Sequence, residues 1–256
     1  MIIYDQIIRE CQELLGPFPG KRILPEQGVV WPQEESQKLI MRDETVCELG
    51  GGMMPAPSGI AFTSGNDWDG RQMSMPWNSG EDEIWLYGPD LPGLSGCVPY
   101  ARLTVLDVDD SGWEDNAKAY EAMRRIDYTR YHIYPKGYMM RVSMAENREP
   151  VRISAQAVAE GLTFAAVGGM FVEAYRKNPE VRGVKIIFIT APDFPYESMA
   201  RKVEKMGKIT RSLDKIFDNL IMDCRSCTLK SICDEVEGMR QLHIKQDGNI
   251  PRSEES

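Results

Sequence analysis

Apolar positions in the first fifteen residues fall at helical spacing: Ile3, Ile7, Ile8, Cys11, Leu14 and Leu15. Such a stripe lies on one side of an α-helix and needs a core to cover it. A helix over residues 2–15 is therefore predicted, ended by Gly16 and Pro17. From Pro17 to Pro99 the pattern breaks up. Gly, Pro, Met and Trp are dense, and two short strand-like pieces (Val46–Leu49 and Glu83–Tyr87) sit between turn-rich stretches such as GGGMMPAPSG and DLPGLSG.

The second half is more regular. Ala101–Val108 alternates as a half-buried strand does, and Asp110 or Ser111 is placed to cap a helix over Trp113–Ile126. Tyr138–Met144 is a second strand candidate. Residues 155–177 are Ala-rich and predict helix, interrupted at Gly161 and at Gly168-Gly169. Val184–Thr190 is a continuous apolar run of the kind buried on both faces of a sheet. Met199, Val203, Met206, Leu213, Phe217 and Leu220 then mark one face of a helix. Strands alternating with helices predict an α/β fold, a mixed sheet with helices packed against it, after an irregular Gly/Pro-rich N-terminal half. Three regions are expected within one compact unit: 1–98, 99–222, and a cysteine segment with a polar tail over 223–256.

Composition narrows the function classes. The chain has 256 residues, 42% hydrophobic and 27% charged, which suffices for a sizeable core. Its formal charge of −9, from 30 basic and 39 acidic residues, argues against nucleic acid as a partner. No apolar run approaches the roughly 18 residues that span a bilayer. The acidic amphipathic N-terminus does not resemble a signal peptide. A soluble, cytoplasmic protein is expected.

The chemistry concentrates near the C-terminus. Of six cysteines, Cys11, Cys47 and Cys97 are scattered, whereas Cys224, Cys227 and Cys233 fall within ten residues. In a reducing cytosol the scattered three read as small buried hydrophobes, and the cluster reads as metal ligation. Two residues between Cys224 and Cys227 let the chain turn back and bring both sulfurs to one point. Cys233 adds a third thiolate, and Arg225 and Lys230 offset the accumulated negative charge. Thiolates suit iron–sulfur clusters and zinc. The fourth ligand is open: His243 makes a Cys₃His zinc site, and one of Cys11, Cys47 or Cys97, or an exogenous ligand, completes a 4Fe-4S cluster.

Other features read more blandly. Gly50-Gly51-Gly52 is a turn rather than a phosphate loop, because Pro55 and Pro57 follow where a helix is required. His132, among Tyr128, Tyr131 and Tyr134, is expected to be partly buried and satisfied. Asp107, Asp109 and Asp110 suit an exposed turn with a helix cap, and the five tryptophans suit packing. Arg201, Lys202, Lys205, Lys208 and Lys215 lie largely opposite the apolar stripe of the last helix. They form either a solvated face or a docking surface for an acidic electron carrier or the phosphates of CoA.

Taken in order, several segments resemble the beta subunit of the carbon monoxide dehydrogenase/acetyl-CoA synthase complex. Phe18-Pro-Gly-Lys-Arg-Ile23 leads to Glu48-Leu-Gly-Gly51; Tyr87-Gly-Pro-Asp90 precedes Pro99–Val108; Arg141-Val-Ser143, Glu160-Gly-Leu-Thr163 and Val184–Thr190 follow. The cysteines arrive where that family begins its nickel–iron–sulfur site. The resemblance implies that Cys224, Cys227 and Cys233 match three cubane ligands. The family's further cysteine and its Cys-Gly-Cys nickel site have no counterpart, since no cysteine follows Cys233. It therefore implies an accessory or electron-transfer role in anaerobic one-carbon and corrinoid metabolism. Implied partners are an electron carrier or corrinoid protein, with CoA as a possible ligand and no tryptophan assigned to it.

Overall fold

A computed structural model describes residues 4–25, 39–64, 81–111, 113, 116–141 and 147–217, with side chains not described at 116–117 and 213–217. The elements run α1 (Asp5–Leu15), β1 (Gly20–Ile23), β2 (Thr45–Leu49), β3 (Ser58–Thr63), β4 (Glu83–Tyr87), β5 (Gly96–Val98), β6 (Ala101–Val108), α2 (Asn116–Tyr128), β7 (Tyr138–Met140), β8 (Val151–Ser154), α3 (Ala155–Ala159), α4 (Phe164–Arg176), β9 (Val181–Ile189) and α5 (Tyr196–Phe217). The strands form two mixed sheets. A five-stranded sheet has the order β1-β4-β9-β6-β3, and a four-stranded sheet has the order β5-β2-β8-β7. The fold is α/β.

The centre of the large sheet is β9, parallel to β4 and antiparallel to β6. Its apolar run is buried from Gly183 to Ile189 because both faces are covered. On one face α4 lies close. An added Cβ on Gly168 would sit 2.5 Å from Cδ1 of Ile84, so a larger residue there would force Ile84 to shift. Phe164 stacks on Phe188 with ring centroids 4.4 Å apart. The opposite face receives α5, whose Val203 and Met206 pack onto Gly59 of β3. The amphipathic α1 buries Ile7, Ile8, Cys11 and Leu15 and packs on α5.

The structure revises three expectations. All eight residues of β6 are buried rather than alternating, because helices cover both faces of that strand and its polar members Arg102, Thr104 and Asp107 have partners inside. The predicted helix over 155–177 is two helices, α3 and α4. They are separated at Gly161 (φ 100°), and α4 restarts at Thr163, whose hydroxyl accepts from the Ala166 amide. Gly168-Gly169 does not interrupt α4 at all. Finally, Trp113 is not helical, and α2 is described from Asn116 onward.

The two sheets meet around one buried ion pair. Arg102 of β6 donates through Nε to Oε1 of Glu149 (2.9 Å) and through Nη2 to Oε2 (2.5 Å), with both side chains wholly excluded from solvent. Nη1 donates to Thr104 Oγ1 (2.9 Å), Ser58 Oγ donates to Glu149 Oε2 (2.9 Å), and the guanidinium lies 4.3 Å above the Phe171 ring of α4. Beside it Tyr100 and Tyr138, one leading into each sheet, share a 2.8 Å hydroxyl hydrogen bond. The strap carrying Glu149 is pinned to the approach of β3 by Ser58 N–H donating to Asn147 O and Glu149 N–H donating to Ala56 O, both 2.9 Å.

Breaking a buried pair strands a charge, whereas replacing both partners by apolar groups does not. Glu149→Ala should lower the unfolding free energy by about 3–5 kcal/mol, read from guanidinium denaturation. The double variant Arg102→Met/Glu149→Leu should recover most of that loss. Equal losses in the two proteins would show that a stranded charge is not the source of the cost.

Candidate metal centre and docking face

Cys224, Cys227, Cys233 and His243 lie outside the described residues, as do the expected apolar position Leu220 and the side chains of Leu213, Lys215 and Phe217. The last described element is α5, which ends at Phe217, seven positions before Cys224. The structure therefore speaks to what leads into the cysteine segment and to which other side chains are available to it.

The described part of the predicted stripe is buried: Met199, Val203 and Met206 are each 1% exposed, and Ile209, which the pattern did not include, is fully buried beside them. The basic residues divide. Arg201 is exposed and donates to Ser198 Oγ at 3.0 Å, three residues back on its own helix. Lys208 pairs with Glu204 one turn back at 2.8 Å. Lys202 reaches across to Glu10 of α1 (3.0 Å), and Lys205 adds its charge near the same carboxylate. Burial opposes ionisation of Glu10, but the hydrogen bond and charge of Lys202, with Lys205, outweigh it and hold the carboxyl below its ordinary value. Lys202 therefore ties two helices together, whereas Arg201 and Lys208 remain directed along the outer surface of α5.

The scattered cysteines also divide. Cys11 and Cys47 are 0% and 1% exposed, and burial pushes each thiol up to about 12. A thiol held protonated is a poor nucleophile and a poor metal ligand. These two match the expectation of small core hydrophobes. Cys97 does not: it lies exposed on β5, with its sulfur against Gly51. Among the described residues no group of three or more His, Cys, Asp or Glu side chains converges as a metal site.

Other singled-out residues have structural partners. His132 is exposed rather than partly buried, with its ring 4.8 Å from that of Tyr128. Asp107 is 8% exposed and accepts from Arg182 at 3.0 Å, so it belongs to the sheet rather than to an exposed turn. Asp109 accepts from the Ser111 side chain and from its amide, which together hold its carboxyl below its ordinary value. The Gly50–Gly52 segment is a turn, with Gly50 at φ 65° and Gly52 at φ 62°. Trp85 donates to Glu83, which also receives Lys185 at 2.6 Å; Trp31, Trp68 and Trp77 lie outside the described residues. The ion pairs Arg102–Glu149 and Lys185–Glu83 were not anticipated. A charged residue inside each apolar strand run, Arg102 and Lys185, was the available signal.

No protein-family model matches the chain, and no curated protein matches it in sequence. No described helix is long and apolar enough to cross a membrane.

Two outcomes follow. Under native conditions Cys97 should react with iodoacetamide while Cys11 and Cys47 stay unmodified until denaturant is added, as read by peptide-mapping mass spectrometry. Rapid native labelling of Cys11 would contradict its burial. Secondly, Glu10 has a folded-state value below its unfolded one, so its pairing stabilises the fold above the ordinary carboxylate range and is lost as pH falls through the lowered value. Lys202→Ala should cost about 0.5 kcal/mol in urea at pH 7, a difference that closes in acid below the Glu10 titration.

Proposed function

We propose that this chain is an iron–sulfur protein related to the beta subunit of the carbon monoxide dehydrogenase/acetyl-CoA synthase complex. It serves as an accessory or electron-transfer component in anaerobic one-carbon and corrinoid metabolism, in the cytoplasm. The observation that carries this reading is the Cys224-x₂-Cys227-x₅-Cys233 spacing, three thiols with room for one shared centre. Two further points support it. Cys11 and Cys47 are committed to the core, so the cluster is set apart from them in kind. The segment is fed by a long helix that carries Arg201 and Lys208 on its outer side, charges suited to guiding an acidic electron carrier or a corrinoid protein. A 4Fe-4S cluster supplies one-electron transfer when bound. The protein's own share is to hold it through Cys224, Cys227 and Cys233, and to offset its charge with neighbouring cations.

The second reading is a non-redox interaction module with a structural zinc site of Cys224, Cys227, Cys233 and His243. It is favoured by the position of His243, ten residues after Cys233.

Metal and sulfide analysis of protein purified without oxygen separates the two. About four irons with equal sulfide and a broad visible absorption that bleaches on reduction are expected, and Cys227→Ala should lose most of that iron. One zinc without iron, released by His243→Ala, would replace this reading with the zinc module.

A further inference from the structure

We propose that the concave surface between the C-terminal ends of α2 and α4 binds a small aromatic acid, a planar ring bearing a phosphate or carboxylate group. The proposal does not rest on the reading of the cysteine segment. The concavity is about 330 Å³ and open to solvent, lined by Arg125, Tyr128, Thr129, His132, Lys177 and Asn178. That volume lies at the lower end of small-molecule sites, roughly 300–1,000 Å³.

Its chemistry is mostly that of a donor. Arg125 is bonded to the Glu180 carboxylate, so these two charges answer each other. Lys177 is exposed, and among the described residues no carboxylate pairs with it. Two helix ends also converge here, and a helix C-terminus carries partial negative charge that competes for such cations. At α4, however, the terminal carbonyls are already occupied. Lys177 N–H donates to Ala174 O, and Tyr175 O accepts from both the backbone and the side-chain amide of Asn178. At α2, Thr129 Oγ1 covers the Arg125 carbonyl. The helix poles are thereby partly satisfied locally, which leaves the Lys177 ammonium and the exposed His132 ring facing the concavity.

The remaining wall is aromatic. Tyr128 is 59% exposed, with His132 at 4.8 Å and Tyr131 at 5.6 Å from its ring. A large exposed aromatic beside a concavity offers a stacking surface that the core does not need. The floor is rigid. Asn178 is only 8% exposed, and its Nδ2 is fixed to Thr129 Oγ1 (3.2 Å) and Tyr175 O (3.0 Å). The chain's net charge of −9 opposes anions at long range, but physiological salt screens that field beyond about 8 Å, so neighbouring groups decide.

Only His132 and His243 are histidines, so ring-proton NMR of the full chain gives a direct reporter, assigned through His132→Gln. Phenyl phosphate, inorganic phosphate and phenol are titrated separately at constant ionic strength. Saturable movement of the His132 signals is expected with both phosphates, with phenyl phosphate binding roughly tenfold tighter through stacking on Tyr128. Lys177→Gln should weaken both by about tenfold, and Tyr128→Ala should remove the preference for the ring. Both side chains are exposed, so neither variant threatens the fold. A His132 signal unmoved by phosphate, equal binding of phenol and phenyl phosphate, or unchanged binding by Lys177→Gln would each overturn the proposal.

Discussion

A guanidinium and a carboxylate shut away from water hold this fold in register. Arg102 and Glu149 come from different parts of the architecture, one from the middle of the large sheet and one from the strap that precedes β8 in the small sheet. Each charge alone would be intolerable at that depth; together they satisfy each other, and Thr104 and Ser58 take further donors and lone pairs. The pairing fixes more than itself. Glu149 can reach Arg102 only if the strap lies along β3, which sets where β8 begins and therefore where the small sheet stands. Phe171 over the guanidinium carries the same constraint into α4. Hydrophobic contacts supply most of the driving force, but they tolerate small displacements. A two-pronged hydrogen-bonded ion pair does not.

What the sequence made legible follows from that division. Elements defined by apolar periodicity alone were readable: α1, the strand Glu83–Tyr87, the core of β9 and the first half of the α5 stripe, Met199 to Met206, all lie where their patterns put them. Periodicity misled where a polar residue was interior. Arg102, Thr104 and Asp107 made β6 look half-solvated, because nothing local announces that Glu149, 47 residues on, or Arg182, 75 residues on, will meet them. The break between α3 and α4 was a question of degree. Gly161 sits at a positive φ that ends a helix, whereas Gly168 sits in ordinary helical geometry and merely allows close packing. A run of letters contains both glycines without distinguishing them.

Several residues in the segments that carry the resemblance are structural in what they touch. Asp90, closing the Tyr87-Gly-Pro-Asp segment, accepts from the amides of Leu91 (2.7 Å) and Phe164 (2.8 Å), and so joins a turn to the start of α4. Glu48 pairs with Arg152 across the small sheet at 2.8 Å. Glu160–Thr163 is the helix break and its cap. Segments of this kind specify backbone paths, and backbone paths are compatible with many chemistries. In this chain such segments serve the backbone path, and the proposed redox role rests on the cysteine spacing.

The distribution of charge gives that spacing a context. A helix that ended in free solvent would need its cations only for solubility, and their positions would be interchangeable. On α5 they are not. Lys202 is spent on Glu10 in fixing α1 against the helix, and Lys205 supports the same carboxylate. α1 in turn buries Cys11 beneath that contact, where the thiol is held protonated. One ion pair thus fixes α1 against α5, the last described element before the cysteines in sequence, above a core thiol held protonated. The proposed metal ligation by Cys224, Cys227 and Cys233 would benefit from both effects. A firmly seated α5 would limit where the segment can start, and a core thiol that stays protonated would not divert the metal.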